Sequence, residues 1–225
     1  MPSVEVAGRE VFYEAPRESG AGHGHVVLLV HGAFDHHALW REIVHALARG
    51  HRLVAVDLPG HGRSTGPALN DAAGCRAFLA ELVEALGLPP FVFCGHSMGG
   101  SMAVDFALHF PERVVGLIPV GSSPDWDIPA FFIDGWDTDP AAVYRENLAY
   151  LFSKKTAPDL ITAYDRQIRS TPPSHCQADM RVCASFHQAG RLGEIDLPTC
   201  VVCGDEEFWI DGSRALHEGI AGASL

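Results

Sequence analysis

A membrane-spanning helix needs about 18 consecutive apolar residues. The 225-residue sequence has no such run, and its longest candidate, Val26–Val30, is strand-sized. Positive charge is also scarce. Sixteen Lys and Arg stand against 28 Asp and Glu, a formal net charge of −12. That balance lacks the basic footprint of a nucleic-acid-binding surface. The opening MPSVEVAGRE has no basic stretch leading into an apolar segment, so no signal peptide is expected. The six cysteines (75, 94, 176, 183, 200, 203) are scattered. With no export signal they are expected as reduced thiols, in the cytoplasm. No internal repeat or low-complexity tract occurs. Neither Gly-x-x-x-x-Gly-Lys nor a strand followed by Gly-x-Gly-x-x-Gly is found, so no nucleotide-phosphate cradle is expected.

What is present reads as a globular α/β protein with a full core. Hydrophobic residues make up 47% and charged residues 20%, which excludes disorder. Alternating apolar residues around Val4–Val6 and Val11–Tyr13 predict an N-terminal hairpin. Continuous apolar runs at Val26–Val30, Arg52–Gly60, Phe91–Gly95, Val114–Gly121 and Thr199–Gly204 predict five buried strands. Helical patterns lie between them, at Ala38–Ala48, Ala72–Leu86 and Met98–His109, and a last one spans Ser213–Ile220. Such alternation predicts a mostly parallel, doubly wound sheet covered on both faces.

Residues 122–195 break this alternation. They show helical patterns at Ala141–Phe152, Pro158–Arg169 and Ala178–Gln188 and no buried strand. The stretch is expected to be a helical lid, inserted into a core formed by residues 1–121 and 196–225. Its aromatics (Trp126, Phe131, Phe132, Trp136, Tyr144, Tyr150, Phe152, Tyr164, Phe186) either line an apolar pocket or pack the lid onto the body.

Chemistry concentrates at three loops. Gly95-His96-Ser97-Met98-Gly99 sits between a predicted strand and a predicted helix. A sharp turn there lifts one hydroxyl above the sheet, and small residues two before and two after Ser97 relieve the crowding. His31-Gly32-Ala33-Phe34 follows the first core strand. Its backbone can aim an N–H at a developing oxyanion, with Ala33 the first choice as donor and Phe34 next. Met98, directly after the serine, would supply the second N–H. His31 itself reads as a hydrogen-bonded loop histidine. Asp57-Leu58-Pro59-Gly60-His61-Gly62-Arg63-Ser64 reads as structural: a tight turn in which Asp57 accepts backbone N–H groups.

These motifs, in this order and spacing, resemble the α/β-hydrolase superfamily, and specifically its lidded esterase-like members, along essentially the whole chain. The resemblance implies a Ser–acid–His triad in that chain order and no metal or organic cofactor. Ser97 matches the nucleophile. The acid is expected after the fifth strand, where Gly204-Asp205-Glu206-Glu207 places Glu207 at the matching position. Asp205 is the alternative, and Asp125 a third. Glutamate needs only to orient an imidazole and stabilise its charged form.

The histidine departs from the pattern. The family places it in a Gly-His loop after one more strand, and none of the 13 histidines occupies a matching position. His217, on the helix after the acid, and His109, His175 and His187 lack support. The core is therefore expected to be C-terminally incomplete, with the Thr199–Gly204 strand left unpaired on one edge. Asp35-His36-His37 and Cys200-x-x-Cys203 are expected to hold no metal, the cysteines because residues three apart on a strand face opposite ways. His23 and His25 are expected in a solvent-facing loop.

The expected function is hydrolysis of a small, largely apolar carboxylic ester or related acyl compound through an acyl-enzyme. The expected partner is a small-molecule substrate, with no nucleic acid and no membrane. The alternatives are a ligand-binding protein on the same fold and an inactive truncated fragment.

Overall fold

The continuous apolar runs form the centre of a six-stranded sheet in the computed structural model, which describes residues 2–16 and 24–225. The strands are β1 (Ser3–Val6), β2 (Arg9–Glu14), β3 (Val26–Val30), β4 (Arg52–Val56), β5 (Phe91–His96) and β6 (Val114–Val120). Their order is β1-β2-β4-β3-β5-β6. The hairpin β1–β2 and the β2–β4 pair are antiparallel. β4, β3, β5 and β6 run parallel. The expected strands at 26–30, 91–95 and 114–121 match these bounds within a residue. β4 is shorter than Arg52–Gly60, because Asp57 turns away to bond with the loops. His23 lies outside the described residues.

Strand geometry explains why the runs are apolar throughout. Successive side chains alternate between faces. Leu28, Val30, Val54 and Val56 enter one core, while Val27, Leu29, Leu53 and Ala55 enter the other. Helices α2 (Ala72–Ala85) and α3 (Met98–His109) feed the larger core through Phe78, Leu82, Met102 and Phe106. The smaller core is closed by Trp40, in a short 3-10 turn at His37–Trp40, and by Val44 of α1 (Arg41–Leu47). Asp71 caps α2 by accepting from the Gly74 N–H at 2.7 Å. No helix among the described residues is long and apolar enough to cross a membrane.

The fifth core strand, expected at Thr199–Gly204, does not form as a continuous strand. Thr199 and Val202 make isolated parallel bridges to Leu117 and Val120, and Cys200 makes another to Ser224. The Ser224 carbonyl takes the Val201 N–H at 2.8 Å. The edge expected to be bare is thus partly occupied by the last residues. With one side only partly paired, the segment holds bridges rather than a ladder. Helix α8 (Ile210–Gly219) follows.

Between β6 and Thr199 the chain is helical: α4 (Phe131–Asp134), α5 (Pro140–Leu151), α6 (Pro158–Ile168) and α7 (Pro173–Ala184). α7 lies about five residues before its expected position. Pro173 opens it, since a proline in the first turn loses no helical hydrogen bond. The apolar pattern used to read it caught only its second half.

The reversal from β5 to α3 falls on one residue. Ser97 has φ 51° and ψ −117°, one of three described non-glycine residues at positive φ. Its N–H donates to the Val120 carbonyl at 2.8 Å. Strand and helix approach so closely that a Cβ on Gly95 would lie 2.1 Å from the Gly99 carbonyl oxygen. A Cβ on Gly99 would lie 2.4 Å from the Val30 oxygen. Such a backbone costs a non-glycine residue about 1–3 kcal/mol. Ser97→Gly should therefore raise stability by about 1 kcal/mol, read by chemical denaturation, whereas Ser97→Ala, which keeps the Cβ, should not. Equal stabilities for the two variants would show that the turn stores no strain.

Candidate active site

Ser97 lines a cavity of about 680 Å³ between the sheet edge and the helical segment. Five of the nine aromatics singled out in residues 122–195 also line it: Trp126, Phe132, Tyr150, Phe152 and Tyr164. The other four do not. Phe131 is exposed, and Trp136, Tyr144 and Phe186 are buried in the core. Two more wall residues, Phe34 and Trp209, were not read from the sequence as such. Trp209 packs edge-on against Trp126, with centroids 5.5 Å apart, a contact between segments 83 positions apart that no local pattern reveals.

The loop after β3 lies directly against the turn at Ser97. A Cβ on Gly32 would sit 3.0 Å from the Ser97 Cβ. Ala33 lines the cavity beside Ser97, and its N–H has no hydrogen-bond partner among the described residues. Met98 is the first residue of α3, so its N–H has no partner within the helix. Phe34 differs from expectation as a donor. Its N–H already donates to Asp179 Oδ2 of α7 at 2.8 Å, at a residue whose φ is 70°.

The acids separate by environment. Glu207 lines the cavity, half-buried, with one carboxylate oxygen 2.8 Å from where a Gly121 Cβ would be. Gly121 follows Val120, whose carbonyl holds the Ser97 N–H, so Glu207 stands by the end of β6 next to the serine turn. Burial pushes its carboxyl above the ordinary range, against a smaller pull from the backbone at Gly204. Asp205 is on the exposed rim of the same cavity. Glu206 pairs with Lys155 and takes the Ser153 hydroxyl, tying the α5–α6 turn to this loop. Asp125 does not line the cavity. It accepts the Gln188 N–H at 2.6 Å in a structural role.

Among the described residues, His96 is the one histidine lining the cavity. It is half-buried, with Nδ1 buried and unpartnered, and desolvation lowers its pKa against the pull of Asp35. His31 is held at both nitrogens: Leu58 N–H donates to Nε2 at 3.0 Å, so Nδ1 donates to the Gly32 carbonyl at 2.7 Å. Burial, with His61 nearby, takes its pKa down to about 3, so it is neutral. His109, His175, His187 and His217 lie away from the cavity: His109 beside Arg76, His175 on the Gly60 carbonyl, His187 bridged to Asp125, His217 on α8. No described histidine is hydrogen-bonded to Ser97 or Glu207.

One trio among the described residues has the spacing for a metal. Donor atoms of His36, His37 and Asp57 lie within 4.8 Å of one another. Asp57 is already committed. Its Oδ1 takes the His37 N–H at 2.6 Å and faces His37 Nδ1 at 2.8 Å, and its Oδ2 takes the Arg63 N–H at 2.9 Å. Burial would raise this carboxyl, but those hydrogen bonds outweigh it and lower its pKa. Asp57 thus braces loops. Asp35 is held by Gln167 and is not in the trio. Cys200 and Cys203 are free thiols, Cys200 exposed and Cys203 half-buried.

Known proteins resemble this chain in sequence and fold. A pimeloyl-[acyl-carrier protein] methyl ester esterase from Nitrosomonas europaea is 27% identical over 199 residues, 81% of this chain and 77% of that protein. One from Edwardsiella ictaluri is 43% identical over 105 residues, covering 47% of this chain and 39% of its own length. The fold of an enol-lactonase from Burkholderia xenovorans LB400 superposes with a TM-score of 0.90 at 20% identity, over 99% of this chain and 89% of that one. The family model for the alpha/beta hydrolase fold matches residues 25–180, well over half of the sequence. The chain therefore belongs to the alpha/beta hydrolase family and is a hydrolase with esterases among its relatives.

Proposed function

We propose that the protein cleaves small, largely apolar carboxylic esters or lactones through an acyl-enzyme on Ser97. The observation that carries this reading is the strained Ser97 at the wall of an aromatic cavity, with two N–H groups beside it, of Ala33 and Met98, that have no hydrogen-bond partner among the described residues. The Ser97 hydroxyl attacks the substrate carbonyl, and the negative charge that develops on its oxygen is met by those amides. Donors fixed in advance in a water-poor site stabilise this charge at little reorganisation cost. The positive end of α3 adds to the same field. Collapse of this tetrahedral species breaks the ester C–O bond, the alcohol leaves carrying the proton given up by the serine, and water then cleaves the acyl-serine to release the acid and restore the hydroxyl. The relatives named for ester and lactone substrates support the bond type.

Proton transfer from a serine needs a neighbouring base. Glu207 is suited to orient an imidazole, with Asp205 as the second choice, yet no described histidine is hydrogen-bonded to Glu207 or Ser97. The same observation favours a second reading, a protein that captures ligands in this cavity without turnover. Around the mouth, Asp205, Glu206 and Glu207 outnumber Lys155, so neutral esters are favoured over anionic ones.

A fluorophosphonate probe should label wild-type protein and not Ser97→Ala. Short-chain p-nitrophenyl esters should be hydrolysed, and, once the reaction of imidazole with the ester in protein-free buffer is subtracted, added imidazole should accelerate the wild type but not Ser97→Ala. Ester binding with neither labelling nor rescue would support ligand capture instead. Glu207 offers a separate check through stability. Because its native carboxyl is raised, its charge is disfavoured in the fold at neutral pH. Glu207→Gln should thus raise the melting temperature at pH 7, and the gain should vanish as the pH falls below the carboxylate range. The same variant should slow imidazole-assisted hydrolysis. A melting temperature lowered at pH 7 would contradict this placement of Glu207.

A further inference from the structure

We infer that the helical insertion completes the oxyanion-binding loop of the proposed reaction, and that Asp179 on α7 is the positioning residue that aims it. The inference rests on the serine-hydrolase reading above. It starts from Phe34, a bulky residue at φ 70°. Left-handed backbone is unfavourable for such a side chain and persists only where its surroundings impose it.

The imposing groups all come from the insertion. Asp179 Oδ2 accepts the Phe34 N–H at 2.8 Å. Thr171, between α6 and α7, donates its hydroxyl to the Phe34 carbonyl at 2.8 Å. Gln167 of α6 donates to the carboxylate of the next residue, Asp35. Both peptide units flanking Ala33 are thereby pinned. His31 Nδ1 donates to the Gly32 carbonyl on one side, and Asp179 holds the Phe34 N–H on the other. In a trans peptide the Ala33 N–H points opposite to the Gly32 carbonyl. Fixing that carbonyl and the next amide leaves the Ala33 N–H one direction.

Asp179 is itself costly to bury. Its side chain is 3% exposed and faces His61 Nε2 at 2.9 Å, with the His61 ring 1% exposed. His61 Nδ1 meets the Pro59 carbonyl at 3.0 Å, so both ring nitrogens face acceptors; burial opposes the charged ring, but Asp179 and the Pro59 carbonyl outweigh it and raise its pKa. A buried ion pair is a poor source of stability compared with apolar packing. Here it places a charged acceptor under one strained amide, and a charged acceptor holds an N–H more strongly than a neutral one.

The test reads the loop separately from the cavity. Phenylboronic acid reports the loop: the Ser97 oxygen bonds to boron, its proton passes to solvent, and the tetrahedral anion needs the same amides as a reacting ester. Toluene reports cavity packing alone. Asp179→Asn, close in volume, should weaken phenylboronic acid binding tenfold or more and toluene binding less than twofold. The Ala33 and Phe34 amide resonances should shift. Thr171→Val, which keeps the ion pair, should change both readouts in the same direction and by less, so the idea remains testable if Asp179→Asn folds poorly. Equal losses for both ligands, or unmoved amide resonances, would overturn the role of Asp179. Failure of the wild type to bind phenylboronic acid would instead overturn the serine-hydrolase reading, and the amide resonances would still decide whether Asp179 sets the loop.

Discussion

The direction of the chain reverses at Ser97 within one residue, and much else in the molecule follows from that turn. Strand β5 must deliver Ser97 above the sheet edge, and α3 must leave at once beneath the loop after β3. Both demands bring backbones into contact: Gly95 meets Gly99, and Gly99 meets the carbonyls of Val30 and His31. Side chains are excluded where the backbones touch. The hydrogen bond from Ser97 to Val120 anchors the turn to the neighbouring strand. Backbone strain at such a place is stable only because packed elements on both sides leave no alternative.

Around this turn the rest of the molecule supplies rigidity of two kinds. The parallel strands β3, β4, β5 and β6 provide an apolar frame, buried on both faces, that sets the heights of the loops. Buried polar groups then set the loops' orientations. Asp57 gathers His37 and Arg63, His31 links Gly32 to Leu58, and Asp179 joins Phe34 to His61. Asp57 and His31 are each engaged at two atoms, and Asp179 takes both of its partners on Oδ2; polar groups bonded in this way make a buried network stiff rather than costly. The cavity wall, by contrast, is largely apolar and drawn from distant segments: Phe34 after β3, Phe132 and Tyr164 in the helices between β6 and Thr199, and Trp209 before α8.

Much of the frame was legible in the sequence. The runs at Val26–Val30 and Phe91–Gly95 match the observed strands within a residue, and the α3 bounds coincide with the expected helix. Their patterns are set by burial on both faces or by helical period, which are local properties. α7 begins ahead of the apolar periodicity, because its first turn is polar and opens at a proline. The Thr199–Gly204 segment has the composition of a strand, but a ladder needs partners on its edges, and composition does not report them.

The sequence by itself determined the order of strands and helices, the serine turn with its glycines, and the loops that could meet it. Those are encoded in residue type and short spacing, because backbone sterics and side-chain periodicity act over a few positions. Tertiary structure alone decided that the Phe34 amide belongs to Asp179, 145 positions away, that Glu207 rather than Asp205 is the half-buried acid, and that four of nine candidate aromatics turn from the cavity. These outcomes depend on which surfaces share one volume. That is set by packing between segments far apart in the chain, and no local pattern carries it.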